Sequence, residues 1–231
     1  MFYNNFEFLS RFTMMLDQEQ QKKLFSKSII VFGVGGVGSA LVNMLVRSGI
    51  QHIAIVDFDK IDITNVNRQL VANLQNVGKY KVDELEIQLK NINNQVKIDK
   101  FALKYSEETM NLIDLNKYDY IVDCIDDLSA KKLLIKQAKS LKTPILCAMG
   151  AGNRYSEIPN FEISDISKTT YDPIAKILRK FCVQEGITKL PVCYTKQKPI
   201  KFDCKTIGSV VYYPVSMACS MCSKVINDIM S

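Results

Sequence analysis

The chain has 231 residues, of which 47% are hydrophobic and 23% charged, and its net charge is +6. This length and composition predict one large domain, or a domain with an appendage, and exclude a disordered chain. No uncharged apolar run approaches the ~18 residues of a membrane span, and the first residues lack a secretory signal's basic and then apolar layout. We therefore expect a cytoplasmic protein whose seven cysteines are reduced thiols. The single histidine, His52, disfavours His-based metal sites and Ser-His-Asp catalysis.

Apolar periodicity predicts alternating helices and strands over the first 150 residues. The predicted strands cover 28–32, 52–56, 96–103, 120–124 and 144–148. The predicted helices cover 17–25, 37 to a stop at Gly49, 79–92 and 128–141. This alternation is typical of an α/β fold with a Rossmann-like open, mainly parallel sheet flanked by helices.

The pattern becomes irregular after residue 150. Asp172-Pro173 has the residue types of a helix N-cap and first turn, and a last helix is predicted over 215–230. Residues 197–208 have no usable periodicity, so we expect a mobile loop there.

Positive charge is concentrated in the second half of the chain. Between Lys168 and Lys205 lie nine basic and three acidic residues, a surplus equal to the net charge of the whole chain. Such a surplus attracts a phosphate backbone, although a solvated lysine-rich loop explains it equally well on charge alone. We therefore expect an evenly charged region at 1–150 and, at 151–231, an irregular, basic portion that completes the same domain.

A glycine-rich turn carries the first chemical motif. Gly33-Val34-Gly35-Gly36-Val37-Gly38 lies between a predicted strand and a predicted helix. There, glycines let the backbone approach a phosphate chain, whose charge the helix N-terminus favours. Asp57, at the end of the next strand, can accept hydrogen bonds from ribose hydroxyls. These residues alone predict a nucleotide site, with NAD as the default ligand.

Polar residues farther along the chain argue against NAD. Arg68, Lys81 and Asp126 follow the ribose-binding acid, and a hydride-transfer cofactor needs no such groups around its phosphates. A triphosphate that is being split does need them, because Arg and Lys neutralise the phosphates and a carboxylate holds Mg²⁺ against them. The absence of Gly-x-x-x-x-Gly-Lys-Ser/Thr disfavours a Walker-loop hydrolase or kinase.

Five motifs follow one another in the first half: Gly33-x-Gly35-Gly36-x-Gly38, Asp57-x-Asp59, Thr64-Asn65-x-Asn67-Arg68-Gln69, Gly78-Lys79-x-Lys81 and Asp123-x-Ile125-Asp126. Together they resemble the E1-like (ThiF/MoeB/HesA) superfamily, whose members attach AMP to a carboxylate. The resemblance implies catalytic roles for Arg68, Lys81 and Asp126, with Asp126 as the Mg²⁺ ligand. It also implies an ATP site formed by Gly33, Gly35, Gly36, Gly38, Asp57, Asp59, Asn65, Arg68, Lys81 and Asp126.

Adenylation gives these groups a chemical purpose. A carboxylate oxygen attacks the α-phosphate and pyrophosphate leaves, so the barrier is mostly charge crowding that positioned cations and a metal relieve. Two acidic residues keep alternative roles. Asp59 either touches ATP or orients Arg68, and Asp123 either belongs to the site or caps a strand end.

The cysteines help to distinguish the possible substrates, that is, which molecule carries the carboxylate that ATP activates. Superfamily members that serve sulfur carriers usually hold zinc between two Cys-x-x-Cys pairs. Here Cys219 and Cys222 form one pair, without a second, and both fall on the apolar stripe of the last predicted helix. We therefore expect packing roles for them and no structural zinc. Cys204 is a candidate reactive thiol, although no histidine accompanies it.

Four further motifs lie in the second half: Met149-Gly150-Ala151-Gly152-Asn153, Asp165-Ile166-Ser167-Lys168-Thr169, Asp172-Pro173-Ile174-Ala175-Lys176 and Gly208-Ser209 to Tyr213-Pro214. They resemble the tRNA threonylcarbamoyladenosine dehydratase branch. The resemblance implies ATP-dependent activation of the threonyl carboxylate of that nucleoside, then ring closure by an internal nitrogen with loss of AMP. It places Arg154, Lys168 and Thr169 near the substrate, although Lys168 is equally well explained as a solvated surface lysine. Arg11 matches an N-terminal arginine that reaches a neighbouring subunit's ATP in some relatives.

Three hypotheses about function remain open. The first is the tRNA-modifying dehydratase, for which we expect a homodimer and consider a cysteine-desulfurase system as a further partner. The second is adenylation of the C-terminal glycine of a ubiquitin-like sulfur carrier, which predicts pyrophosphate exchange without RNA. The third is a nucleotide-sensing module, which predicts no turnover.

Overall fold

The computed structural model describes residues 7–155, 158–201, 203 and 206–231, so Cys204 and Lys205 lie outside the described residues. The described strands are β1 (Ser28–Phe32), β2 (His52–Val56), β3 (Lys97–Phe101), β4 (Tyr120–Asp123), β5 (Ile145–Ala148), β6 (Glu162–Asp165) and β7 (Pro191–Tyr194). The described α-helices are α1 (Ser10–Thr13), α2 (Gln18–Ser26), α3 (Gly36–Arg47), α4 (Lys81–Ile92), α5 (Leu128–Leu141), α6 (Pro173–Gln184) and α7 (Tyr212–Met230).

The strands form one sheet in the order β3-β2-β1-β4-β5-β7-β6. All neighbours are parallel except β6, which is antiparallel to β7, so the predicted Rossmann-like, mainly parallel sheet is confirmed. Phe32, at the end of β1, pairs with Val56 of β2 and with Asp123 of β4. The segments that follow these three strands therefore meet at one edge of the sheet.

Helices bury the sheet on both faces. Residues of α3 and α7 belong to the core on one face, and residues of α5 and α6 to the core on the other. On α7, Met217, Met221 and Cys222 are buried, but Cys219 is exposed. The prediction that Cys219 faces the core is wrong, because successive helical residues are rotated by ~100° and the buried stripe passes on the other side.

The region after residue 150 is more regular than predicted. The strand β7 continues the parallel sheet beyond β5, and β6 completes that edge. The expected irregularity is wrong for these two strands, because four-residue strands are too short to show a clear alternation. The described part of 197–208 contains no helix or strand, and its mobility stays a prediction.

Two features are absent from the described residues. None of their helices combines the length and hydrophobicity that crossing a membrane requires. Nor do three or more of their His, Cys, Asp or Glu side chains form a group that could hold a metal ion.

Candidate active site

A cavity of about 650 Å³ opens at the carboxyl ends of β1, β2, β4 and β5. The chain proceeds from β1 to β2 on one side and later reaches β4 on the other, and open α/β sheets bind ligands at such a switch point. The cavity brings together nine of the ten predicted ATP-site residues: Gly33, Gly35, Gly36, Asp57, Asp59, Asn65, Arg68, Lys81 and Asp126.

The glycine turn is built by close backbone packing. Gly33 has φ +82°, and a Cβ there would lie 2.7 Å from the carbonyl oxygen of Cys124. A Cβ on Gly38 would lie 1.8 Å from the carbonyl oxygen of Gly33. Gly38 is buried and does not line the cavity, so it packs α3 against the turn, and its predicted part in the ATP site stays a prediction.

Asp57 joins the end of β2 to the glycine turn. Its carboxylate accepts hydrogen bonds from the backbone N–H groups of Val34 (2.8 Å) and Asp59 (2.9 Å). Burial raises the pKa of Asp57, while Lys81 and these two hydrogen bonds oppose the shift. The fixed carboxylate beside the turn has the placement that a ribose-binding acid requires.

A cation and its carboxylate partner line the same cavity. The Nζ atom of Lys81 lies 2.6 Å from Oδ2 of Asp59, and the lysine side chain is 6% exposed against 46% for the aspartate. The alternative in which Asp59 orients Arg68 is wrong. Arg68 instead donates to the carbonyl of Thr64 (2.6 Å) and to Oδ1 of Asn67 (2.9 Å).

The loop after β4 carries acidic side chains with different environments. Asp126 is exposed in the cavity and has no hydrogen-bond or ion-pair partner among the described residues. Asp123 is fully buried, 2.8 Å from Nζ of Lys131, and accepts from the N–H of Ile125. Asp123 therefore caps the end of β4 and also pairs with a buried lysine of α5, and it does not line the cavity.

The four predicted substrate-side residues do not line the cavity. Arg154 is 4% exposed, and its guanidinium is 3.3 Å from Asp172, so it faces inward. Thr169 is buried and donates its hydroxyl to the carbonyl of Ile166, which leaves the hydroxyl unavailable to substrate. Lys168 and Arg11 are exposed outside the cavity. None of the four residues lines the cavity, and a place for Arg154, Lys168 and Thr169 near the substrate stays a prediction, as does a contact of Arg11 with a neighbouring subunit's nucleotide.

In the described part of the chain, two cavity residues with a buried, unpartnered polar atom were not among the predicted site residues. Gln69 is 7% exposed, and its Oε1 is buried without a hydrogen-bond partner in the described structure. The Tyr105 hydroxyl is equally buried and unpartnered among described residues, and burial raises the pKa of Tyr105 to about 12. Gln69 directly follows Arg68 in a recognised motif, which was the available signal, whereas nothing in the sequence marked Tyr105.

Comparison with known proteins identifies the family. The family model described as ThiF family matches residues 9–227. The chain belongs to the ThiF family. A tRNA threonylcarbamoyladenosine dehydratase from Bacillus subtilis is 38% identical to this ThiF-family protein over 192 residues, 83% of the chain and 75% of the relative. The tRNA threonylcarbamoyladenosine dehydratase 2 of Saccharomyces cerevisiae is 33% identical over 199 residues, 85% of the chain and 43% of the relative.

Solved structures share the fold. Escherichia coli tRNA N6-threonylcarbamoyladenosine dehydratase in complex with ATP superimposes with a TM-score of 0.87 at 23% identity, over 94% of this chain and 91% of the other. The same enzyme in complex with AMP gives the same TM-score. The solved structures thus support the fold of the ThiF-family protein, whereas the Bacillus subtilis and Saccharomyces cerevisiae sequence relatives favour the dehydratase hypothesis over the sulfur-carrier hypothesis.

Proposed function

We propose that this ThiF-family protein is an ATP-dependent tRNA threonylcarbamoyladenosine dehydratase. The observation that carries the proposal is the convergence of the glycine turn, Asp57, Arg68, Lys81 and Asp126 on one cavity. An acid for the ribose, cations for the phosphates and an unpaired carboxylate are the groups that adenylation requires. The names of the relatives supply the substrate.

The proposed reaction has two steps, formation of an acyl adenylate and ring closure. An oxygen of the threonyl carboxylate attacks the α-phosphorus of ATP, and the bond to pyrophosphate breaks. An internal nitrogen then attacks the activated carbonyl carbon, loses its proton, and AMP departs with the original carboxylate oxygen. Lys81 and Arg68 neutralise the crowded phosphates, the N-terminus of α3 adds its positive dipole end, and Asp57 holds the ribose.

Asp126 fits the requirements of a Mg²⁺ ligand. Mg²⁺ in nucleotide sites uses one or two carboxylates together with phosphate oxygens, and Asp126 presents an unpartnered carboxylate to the cavity in the described structure. When bound, the ion would neutralise phosphate charge as pyrophosphate leaves.

The charge distribution suits a tRNA substrate. Lys168, Lys176, Lys180 and Lys189 are exposed, as phosphate contacts require. We therefore propose that this basic surface binds the tRNA backbone and that binding weakens as salt rises. A cytoplasmic homodimer in which Arg11 reaches the partner's nucleotide, and a cysteine-desulfurase partner, remain part of the proposal as the family resemblance suggests them.

Mass spectrometry of tRNA nucleosides tests the function. Purified protein is incubated with ATP, Mg²⁺ and threonylcarbamoylated tRNA, and the modified nucleoside is expected to lose the mass of one water. Lys81→Met and Asp126→Asn should abolish this loss. Lys79→Met is the matched control, because Lys79 pairs with Glu84 and does not line the cavity.

The other two hypotheses predict no loss of water from the nucleoside, and two further assays distinguish them. Pyrophosphate exchange with a sulfur-carrier protein in the absence of RNA would replace the proposed substrate. ATP binding without any product would indicate a nucleotide-sensing module.

A further inference from the structure

A buried arginine lies directly behind one wall of the cavity. Gly150 and Gly152 line the cavity, and Nη1 of Arg154 donates to both of their carbonyl oxygens, at 2.5 and 3.3 Å. Its Nε donates to the carbonyl of Gln197 at 2.9 Å. The guanidinium therefore ties this wall to the segment that follows β7.

Asp172 binds both the backbone of Gly150 and the guanidinium of Arg154. Its Oδ2 accepts from the N–H of Gly150 at 3.0 Å and lies 3.3 Å from Nη2 of Arg154. Its Oδ1 accepts from the N–H of Ala175 at 2.9 Å, which caps α6. The pair thus binds both the N–H and the carbonyl of Gly150 and links them to the start of a helix.

Glycine suits the position where the pair meets the wall. A Cβ on Gly150 would lie 3.1 Å from Oδ2 of Asp172 and 3.3 Å from Nη1 of Arg154. These distances leave little room for any side chain. Because Arg154 and Asp172 are 4% and 3% exposed, the substrate cannot reach them without disturbing the wall.

The strand order places this wall on the side of the cavity from which the carboxylate attacks the α-phosphate in the proposed reaction. Asp57 follows β2, the glycine turn follows β1, Asp126 follows β4, and Gly150 comes after β5. A nucleotide whose ribose lies at Asp57 and whose phosphates lie at the turn runs from β2 towards β4. The group that attacks the α-phosphate then has the wall after β5 beside it.

We infer that Arg154 and Asp172 are positioning residues that hold the Gly150–Gly152 wall against which the carboxylate-bearing nucleoside is aligned for attack. This inference rests on the proposed function. A planar guanidinium suits the role because its fixed fork binds several carbonyls at once, whereas a lysine ammonium acts as a point charge. Displacement of an aligned group by about 1 Å can cost about a hundredfold in rate.

Two variants of the full chain test the inference. Arg154→Lys keeps the charge and loses the fork, and Asp172→Asn keeps the helix cap and loses the ion pair. Asp99→Asn is the control, because this carboxylate of β3 is likewise held by side chains, those of His52, Tyr118 and Lys97, and does not line the cavity. ATP affinity, thermal midpoint, and kcat and KM for threonylcarbamoylated tRNA are measured for each.

Both test variants are expected to fold and to bind ATP within about twofold of the wild type, while kcat falls by about 10- to 100-fold. Asp99→Asn should keep the wild-type kcat. A wild-type kcat in Arg154→Lys and Asp172→Asn, a parallel loss of ATP affinity, or loss of folding in both would overturn the positioning role. Failure of the wild-type protein to dehydrate the tRNA would instead refute the proposed function.

Discussion

Removing one partner of the buried ion pair between Lys131 and Asp123 should be among the most destabilising single substitutions in this protein. Both side chains are 0% exposed and their charged atoms are 2.8 Å apart. Replacing Lys131 by Met leaves the Asp123 carboxylate buried without its counter-ion, which typically costs ~3–5 kcal/mol. For a protein of this size that loss corresponds to a decrease of about 6–20 °C in Tm.

Urea unfolding followed by circular dichroism measures this cost. The double variant Lys131→Met/Asp123→Asn removes both charges, keeps an oxygen that can accept from Ile125, and should be more stable than Lys131→Met. Lys27→Met is the matched control, since Lys27 and Asp119 are also 2.8 Å apart but about 40% exposed, and should cost less than about 1 kcal/mol. An equally small loss for Lys131→Met would refute the reasoning.

Three further predictions concern the turn, the nucleotide acid and the thiols. Because the pKa of Asp57 is raised by burial, this carboxylate gains a proton at a higher pH than an ordinary aspartate. On acidification, ATP affinity measured by calorimetry should therefore begin to fall at a higher pH than the ordinary aspartate pKa of about 3.9 would give, and Asp57→Asn should lack that dependence. Gly38→Ala should displace the Gly33 carbonyl at a cost of about 1–3 kcal/mol and weaken ATP binding; unchanged binding would contradict the packing role. Mass spectrometry after alkylation should find exposed Cys219 modified before Cys193, whose pKa burial raises to about 12; the reverse order would contradict the packing of α7.

Local sequence pattern was sufficient for most of the elements that build the site. The strands at Ser28–Phe32 and His52–Val56 and the helix at Leu128–Leu141 have the predicted bounds. Each is a strongly apolar run or a periodic segment bounded by a clear stop or cap, so neighbouring residues determine it. The parallel direction of the strands follows from their alternation with helices.

Tertiary pairing was not predictable in the same way. Asp59 pairs with Lys81, and Arg154 turns inward to Asp172, because the packed fold brings distant charges together. A motif indicates that a charged residue matters but not which way its side chain points. Thr169 illustrates the same limit, since its buried hydroxyl serves the backbone of its own turn.

Oxygen-isotope transfer tests the central claim most directly. Threonylcarbamoylated tRNA labelled with ¹⁸O in the threonyl carboxylate is dehydrated in the presence of ATP, and the nucleotide products are analysed by mass spectrometry. Attack of the carboxylate on the α-phosphorus predicts one ¹⁸O atom in the released AMP. Label in inorganic phosphate, together with ADP, would place the attack on the γ-phosphorus and contradict the assignment of this cavity to adenylation.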